Sequence, residues 1–299
     1  MELQLKNGNM TAVVTDAGAE LISLIDGQGM EYIWSGDPAY WGGRNPVLFP
    51  IVGNLADGQV KCKGETYYMG RHGFARNSVF QVAASDDTFV EYRLVSSEAT
   101  KEKYPYEFEF RVRHTLHENG FTTAFIVKNT GDEVLPCCVG AHTAFRCPMK
   151  DGEQFTDYEI YFPEEETCHT RVLSNGGCIR SDLTLPMLEA THVLPLRYEP
   201  FAELDTLIFE ELKSKKVTLR HKTGGHGVTM EFEDFPLMAF WTNGGKQAPY
   251  ICIEPWHGCA AVVGESGNLE DKPYVMKLQP GEERCLAYTV SVNETACEL

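Results

Sequence analysis

The chain has 299 residues, 43% hydrophobic and 23% charged, the composition of an ordinary soluble globule long enough to bury a large core. Its formal net charge of -17 repels phosphate backbones and anionic membranes, which argues against nucleic acid or a lipid surface as partner and is nearly neutral toward an uncharged small molecule. No apolar run approaches the roughly 20 residues of a membrane helix.

The opening Met1-Glu2-Leu3-Gln4-Leu5-Lys6 lacks the basic-then-apolar pattern of a secretory leader. Ten cysteines are scattered, Cys137 and Cys138 adjacent, with no Cys-x-x-Cys pair. The expectation is a cytosolic protein with reduced, mostly buried thiols. No zinc-type spacing of Cys and His occurs, so no metal is expected.

In chain order, strand follows strand. Leu3-Gln4-Leu5 and Met10 to Val14 flank the turn Asn7-Gly8-Asn9, a hairpin signal. Gly18 to Ile25 runs to a second turn at Asp26-Gly27-Gln28-Gly29, and Glu31-Tyr32-Ile33-Trp34 reads as a short strand. Val79 to Val95 reads as two strands split at Ser85-Asp86-Asp87. Ser97 to Lys103 reads as one or two helical turns before Pro105. Phe108 to Leu116 has apolar residues mostly at alternate positions, and Glu118-Asn119-Gly120 turns it back into Phe121 to Val127. Val217 to Arg220 and Gly227 to Phe232 flank a Gly-Gly turn, and Arg284 to Val292 is the last strand.

Nowhere do apolar residues recur with helical spacing over four turns. No linker, composition shift or internal repeat divides the chain. The reading is all-β, one domain over residues 1–299, a large antiparallel β-sandwich.

Three stretches carry candidate chemistry. In Gly70-Arg71-His72-Gly73-Phe74-Ala75-Arg76, His72 and Arg76 bracket an apolar Phe74 beside a turn-forming glycine. They are either hydrogen-bond donors aimed into a cleft or solvated loop residues. In Val139-Gly140-Ala141-His142-Thr143, small residues surround His142, whose reference pKa of about 6.5 suits proton transfer near neutrality. The alternative is a core histidine satisfied by backbone.

The third stretch is Ile251-Cys252-Ile253-Glu254-Pro255-Trp256-His257-Gly258. Pro255 and Gly258 are read as strand breakers, which sets Glu254 at a strand end. A carboxylate beside Trp256 and partly out of water is a general base with a raised pKa, or else a surface Glu opening a turn. A histidine acid and a glutamate base in one pocket form a complete proton-transfer pair.

Together and in this order these stretches resemble the aldose 1-epimerase family of galactose-mutarotase-like proteins, in its LacX-like branch. Arg44-Asn45-Pro46-Val47-Leu48-Phe49-Pro50-Ile51-Val52-Gly53 adds to the resemblance, which extends from Asp16 to the end of the chain. It implies a supersandwich of antiparallel sheets holding a sugar on a concave face. The implied activity is cofactor- and metal-independent exchange of α and β anomers of a free aldose.

By the motif match Glu254 takes the base role at the anomeric hydroxyl and His142 the acid role at the ring oxygen. His72 holds the ring region, and Arg76, Arg44, Asp205 and Trp256 are candidate sugar contacts. Asp205 reads equally as a strand-leading residue, and Trp256 or Phe74 either stacks on the sugar or belongs to the core. One departure stands out: the family pattern puts arginine after Gly53, and this chain has Asn54. Two other readings remain open: a hexose-6-phosphate mutarotase using the arginines, and an idle sugar-binding or regulatory domain on the same fold.

Overall fold

A computed structural model describes residues 1–295. Among them the main element is a 15-stranded sheet. Its path starts at Val47–Leu48, then passes through Val139–Ala141, Tyr250–His257, Leu237–Trp241 and Thr206–Glu210. It continues through Tyr158–Leu173, Lys216–His221, Gly225–Glu231 and Glu283–Thr295 to Gly120–Asn129, Phe108–His117, Phe89–Val95 and Gln81–Ser85. The neighbours along this path are antiparallel. A separate three-stranded sheet is built from Glu2–Asn7, Met10–Thr15 and Glu20–Ile25.

Alternation explains the strands. In Phe108–His117 every second residue is buried, with Phe108, Phe110, Val112 and Leu116 turned to the core. Elements far apart on the sheet path then meet face to face. Phe49, beside the first strand of the path, stacks on Phe110 with ring centroids 4.3 Å apart and planes 17° from parallel. Thr143, on the Glu254 side, lies 3.2 Å from the Tyr288 hydroxyl in the other half. The sheet therefore folds over on itself around an aromatic core, as two packed layers require.

Several expected elements differ. Glu31 to Trp34 is no strand and makes only isolated bridges, Ile25 with Glu31 and Ile33 with Phe145. The Glu31 carboxylate instead accepts from the Leu24 and Ile33 amides. The Ser97 to Lys103 helix is a single turn, Glu98–Lys101, capped reciprocally by Ser97 and Thr100. The short strands Gln59–Cys62, Glu65–Tyr68, Leu237–Trp241 and Met276–Leu278 were not expected, nor were two other elements. One is the short helix Glu199–Leu204. The other is the long hairpin of Tyr158–Leu173 with Ile179–Pro195, whose polar, bulged register hides its period.

Nine cysteines lie in the described residues; six are buried and all nine are unpaired. No helix among the described residues is long and apolar enough to cross a membrane.

The layer contact gives a stability prediction. Phe110→Ala should lower unfolding free energy by about 3–5 kcal/mol, because Phe110 is fully buried and packs between layers. Urea denaturation followed by tryptophan fluorescence measures it, and a loss below about 1 kcal/mol contradicts the two-layer packing.

Candidate active site

Glu254 is not at a strand end. The strand Tyr250–His257 continues through Pro255 in the interior of the large sheet. On one side it pairs with Leu237–Trp241, Ala239 opposite Glu254 and Met238 opposite Pro255. On the other side Gly140 faces Trp256 and Thr143 faces Ile253, two pairs on one unbroken register. That register sets His142 directly opposite Glu254. Pro255 has no N–H to give across this ladder, and the pairing lapses at His142, between Val139–Ala141 and Thr143–Arg146. Directly opposed side chains share a face of the sheet. The His142 Nε2 and Glu254 Oε2 atoms are 3.3 Å apart.

Both groups are buried and line one cleft of about 610 Å³, a size that suits a small ligand. Among the described residues neither Glu254 oxygen makes a hydrogen bond of good geometry, nor does His142 Nδ1. Burial, then the field of Asp205, pushes the Glu254 carboxyl well above its usual range; the nearby Trp256 indole, Arg71 and Arg76 act against this. Burial, then the charge of Arg76, pushes the His142 imidazolium down to about 3. Burial thus favours the neutral form of each group, the carboxylic acid and the uncharged imidazole.

His72 comes from the loop across the cleft, in a left-handed conformation at φ 67. Its Nδ1 accepts from the Gly53 N–H at 3.0 Å, while its own N–H donates to the Gly53 carbonyl at 2.9 Å. An accepting Nδ1 leaves the ring proton on Nε2, a donor. The ring meets His142 edge-on at 5.6 Å. Gly73 continues the left-handed turn at φ 77, and a Cβ there would stand 2.2 Å from the Phe49 carbonyl oxygen.

The other sequence candidates divide. Arg76 lines the cleft on the turn Ala75–Asn77, and among the described residues its guanidinium has no hydrogen-bond or ion-pair partner. Asp205 lines it too, accepting from Trp241 Nε1 at 3.2 Å, with its backbone strained at φ 65, ψ -73. Trp256 forms part of the lining and packs into the space left by Gly140, where a Cβ would lie 2.8 Å from Trp256 Cδ1. The small residue beside His142 thus makes room for a tryptophan rather than for a ligand.

Arg44 does not line the cleft: its guanidinium donates to the Ile22 carbonyl at 3.2 Å and its N–H to Glu20. Asn54, at the position where arginine was expected, accepts from Arg71 Nε at 3.0 Å and so holds a neighbouring guanidinium at the cleft.

The sequence reading missed two tryptophans. Trp41 lies over His142 with centroids 4.9 Å apart, and Trp241 meets it edge-on at 5.5 Å. The only signal for Trp41 was an aromatic beside Gly42-Gly43 in a loop; Trp241 looked like any strand aromatic.

Comparison with known proteins now decides the lineage. The family model described as aldose 1-epimerase matches residues 1–290. This chain belongs to the aldose 1-epimerase family. Chromosomal protein LacX of Lactococcus lactis is 34% identical, the match spanning 98% of this chain and 99% of LacX. A galactose mutarotase related enzyme from Lactobacillus acidophilus superposes with a TM-score of 0.93 at 32% identity, over 100% of this chain and 99% of that one. A galactose mutarotase-like protein from Lactobacillus casei gives 0.90 at 26% identity, over 98% and 100%. Membership supports a mutarotase-like function of isomerase type and a small sugar as substrate. The all-β, galactose-mutarotase-like fold expected from the sequence is the fold observed.

Glu254 also sets a pH dependence of stability. The folded carboxyl keeps its proton above the ordinary value of 4.5, where the unfolded chain has lost it. The native state then binds more protons, so this group's contribution falls as pH rises above 4.5 toward the raised value. Glu254→Gln lacks that dependence. It should be more stable than the parent, by a margin that widens from about pH 5.5 to about pH 8. Urea midpoints across that range test it; a constant or shrinking margin would show that the carboxyl titrates normally.

Proposed function

We propose that this protein is an aldose 1-epimerase-type mutarotase that exchanges the α and β anomers of a sugar by general acid–base ring opening and closure. The observation that carries the reading is the opposed His142–Glu254 pair at 3.3 Å in the cleft. Opening a cyclic aldose removes a proton from the anomeric hydroxyl and adds one to the ring oxygen, and these two oxygens share one carbon. Two buried proton-transfer groups on adjacent strands match that demand.

Glu254 takes the hydroxyl proton and His142 gives one to the ring oxygen; the aldehyde rotates, and reclosure reverses the roles. The base role needs a proton on the imidazole and none on the carboxyl, whereas burial favours the opposite arrangement. The two forms differ by one proton moved within the pair, so the active fraction follows the pair's total protonation rather than either group alone. His72 Nε2–H is a donor for a sugar oxygen, and Trp41 and Trp241 offer apolar faces to sugar C–H groups.

NMR exchange between glucose or galactose anomers tests the reading. Glu254→Gln should lower turnover by about 10²- to 10⁴-fold with the fold intact. His142→Asn should lower kcat more than it raises KM. No acceleration over buffer with any aldose would remove the proposal.

One observation favours an anionic sugar, such as a hexose 6-phosphate, over a neutral one. The cleft is lined by Arg76 and Lys103, neither with an acceptor among the described residues, and by Arg71, which bonds only neutral Asn54. A partly buried guanidinium that has no ion pair, with Glu20 and Glu254 acting on it only through space, is suited to a phosphate. On this reading, Arg76→Gln slows exchange of glucose 6-phosphate by about 10-fold or more, the weight of one lost charge-assisted contact, and leaves glucose nearly unchanged. Equal losses on both sugars would assign Arg76 to the neutral ring.

A further inference from the structure

Cys252 belongs to the same face of the sheet as the proton-transfer pair. It precedes Glu254 by two residues on one strand, so both side chains leave the same face, and His142 approaches from the strand opposite. The Cys252 sulfur, an imidazole nitrogen of His142 and a carboxylate oxygen of Glu254 all lie within 4.8 Å of one another. All three residues are buried. Among the described residues the Glu254 oxygens and His142 Nδ1 make no hydrogen bond of good geometry, so desolvated lone pairs remain for an ion.

We propose that His142, Cys252 and Glu254 form an inhibitory site for a thiophilic divalent cation of the zinc class. The donor set decides the class: one nitrogen, one sulfur and one carboxylate oxygen suit zinc or cobalt(II), whereas magnesium and calcium need oxygen cages. Charge also fits. A thiolate and a carboxylate balance a divalent ion, so the buried ensemble is neutral, with the imidazole contributing no charge. The thiol proton and the proton shared by the pair leave to solvent as the ion enters. Entry runs through the cleft, which His142 and Glu254 both line. Once bound, the ion holds the lone pairs that ring opening uses and so competes with proton transfer.

Metal binding itself does not depend on the mutarotase reading; only the block on anomer exchange rests on it. The test is cobalt(II) titration of the full chain, read by absorption, with zinc as competitor. The expected result is one equivalent of cobalt with a thiolate-to-metal charge-transfer band in the near ultraviolet, displaced by zinc and lost in Cys252→Ser. Losing outer-shell support to a ligand already weakens metal sites about 10- to 100-fold, so losing the thiolate should weaken zinc binding about 100-fold or more. Zinc should slow anomer exchange of the parent and spare Cys252→Ser, whose metal-free activity stays near the parent's.

Absence of the band, or a band that persists in Cys252→Ser and so comes from the more accessible Cys168, Cys178 or Cys285, overturns the proposal. Should Cys252→Ser not fold, Glu254→Gln keeps every thiol and must also lose the tight site. If the metal-free protein exchanges no sugar while the cobalt band behaves as expected, the mutarotase reading fails and the metal site stands.

Discussion

The opposition of His142 and Glu254 across one antiparallel ladder is the constraint on which the site depends. Side chains directly opposite each other on a sheet have Cβ atoms about 4.5–5.5 Å apart. The backbone register alone therefore brings the two groups to bonding range, with no need for a precisely shaped loop. Pro255 sits at the next position and withholds one ladder hydrogen bond. That local loss is tolerated because the same strand is paired along its other edge with Leu237–Trp241. An interior strand holds the carboxylate, neighbouring strands add Ile208 and Trp241, and loops add Arg71 and His72.

Much of this was legible in the sequence where the signal is local. Period-two alternation in Phe108–His117 and turn residues at Asp86 and Gly120 mark real strands and real turns. The histidines and glutamate stood out by residue type among apolar neighbours. What failed was what depends on partners distant in the chain. Pro255 reads as a breaker until the strands flanking it are known. Arg44 reads as a ligand-binding arginine because nothing nearby shows that the Ile22 carbonyl takes its guanidinium. Trp41 approaches His142 only through the fold, across about a hundred residues of sequence. The bulged hairpin from Tyr158 to Pro195 has no clean period to read.

Net charge misleads at the scale of a cleft. The chain carries -17, yet one cleft gathers Arg71, Arg76 and Lys103 beside a carboxyl that burial tends to keep protonated. Within a few ångströms, desolvation and near neighbours outweigh the distant surface field, which salt screens over a Debye length of about 8 Å at physiological ionic strength.

Phe49 serves both the packing and the site. Its ring stacks on Phe110 between the layers, while its carbonyl accepts the N–H groups of Phe74 and Ala75 at 3.1 and 3.2 Å. The loop that presents His72 is thereby bolted to the same residue that joins the two layers. A breathing motion that swings this histidine away must also give up two amide bonds to a core residue. The imidazole is thus denied the independent fluctuation that surface loops usually enjoy, and its orientation is inherited from the interior of the molecule.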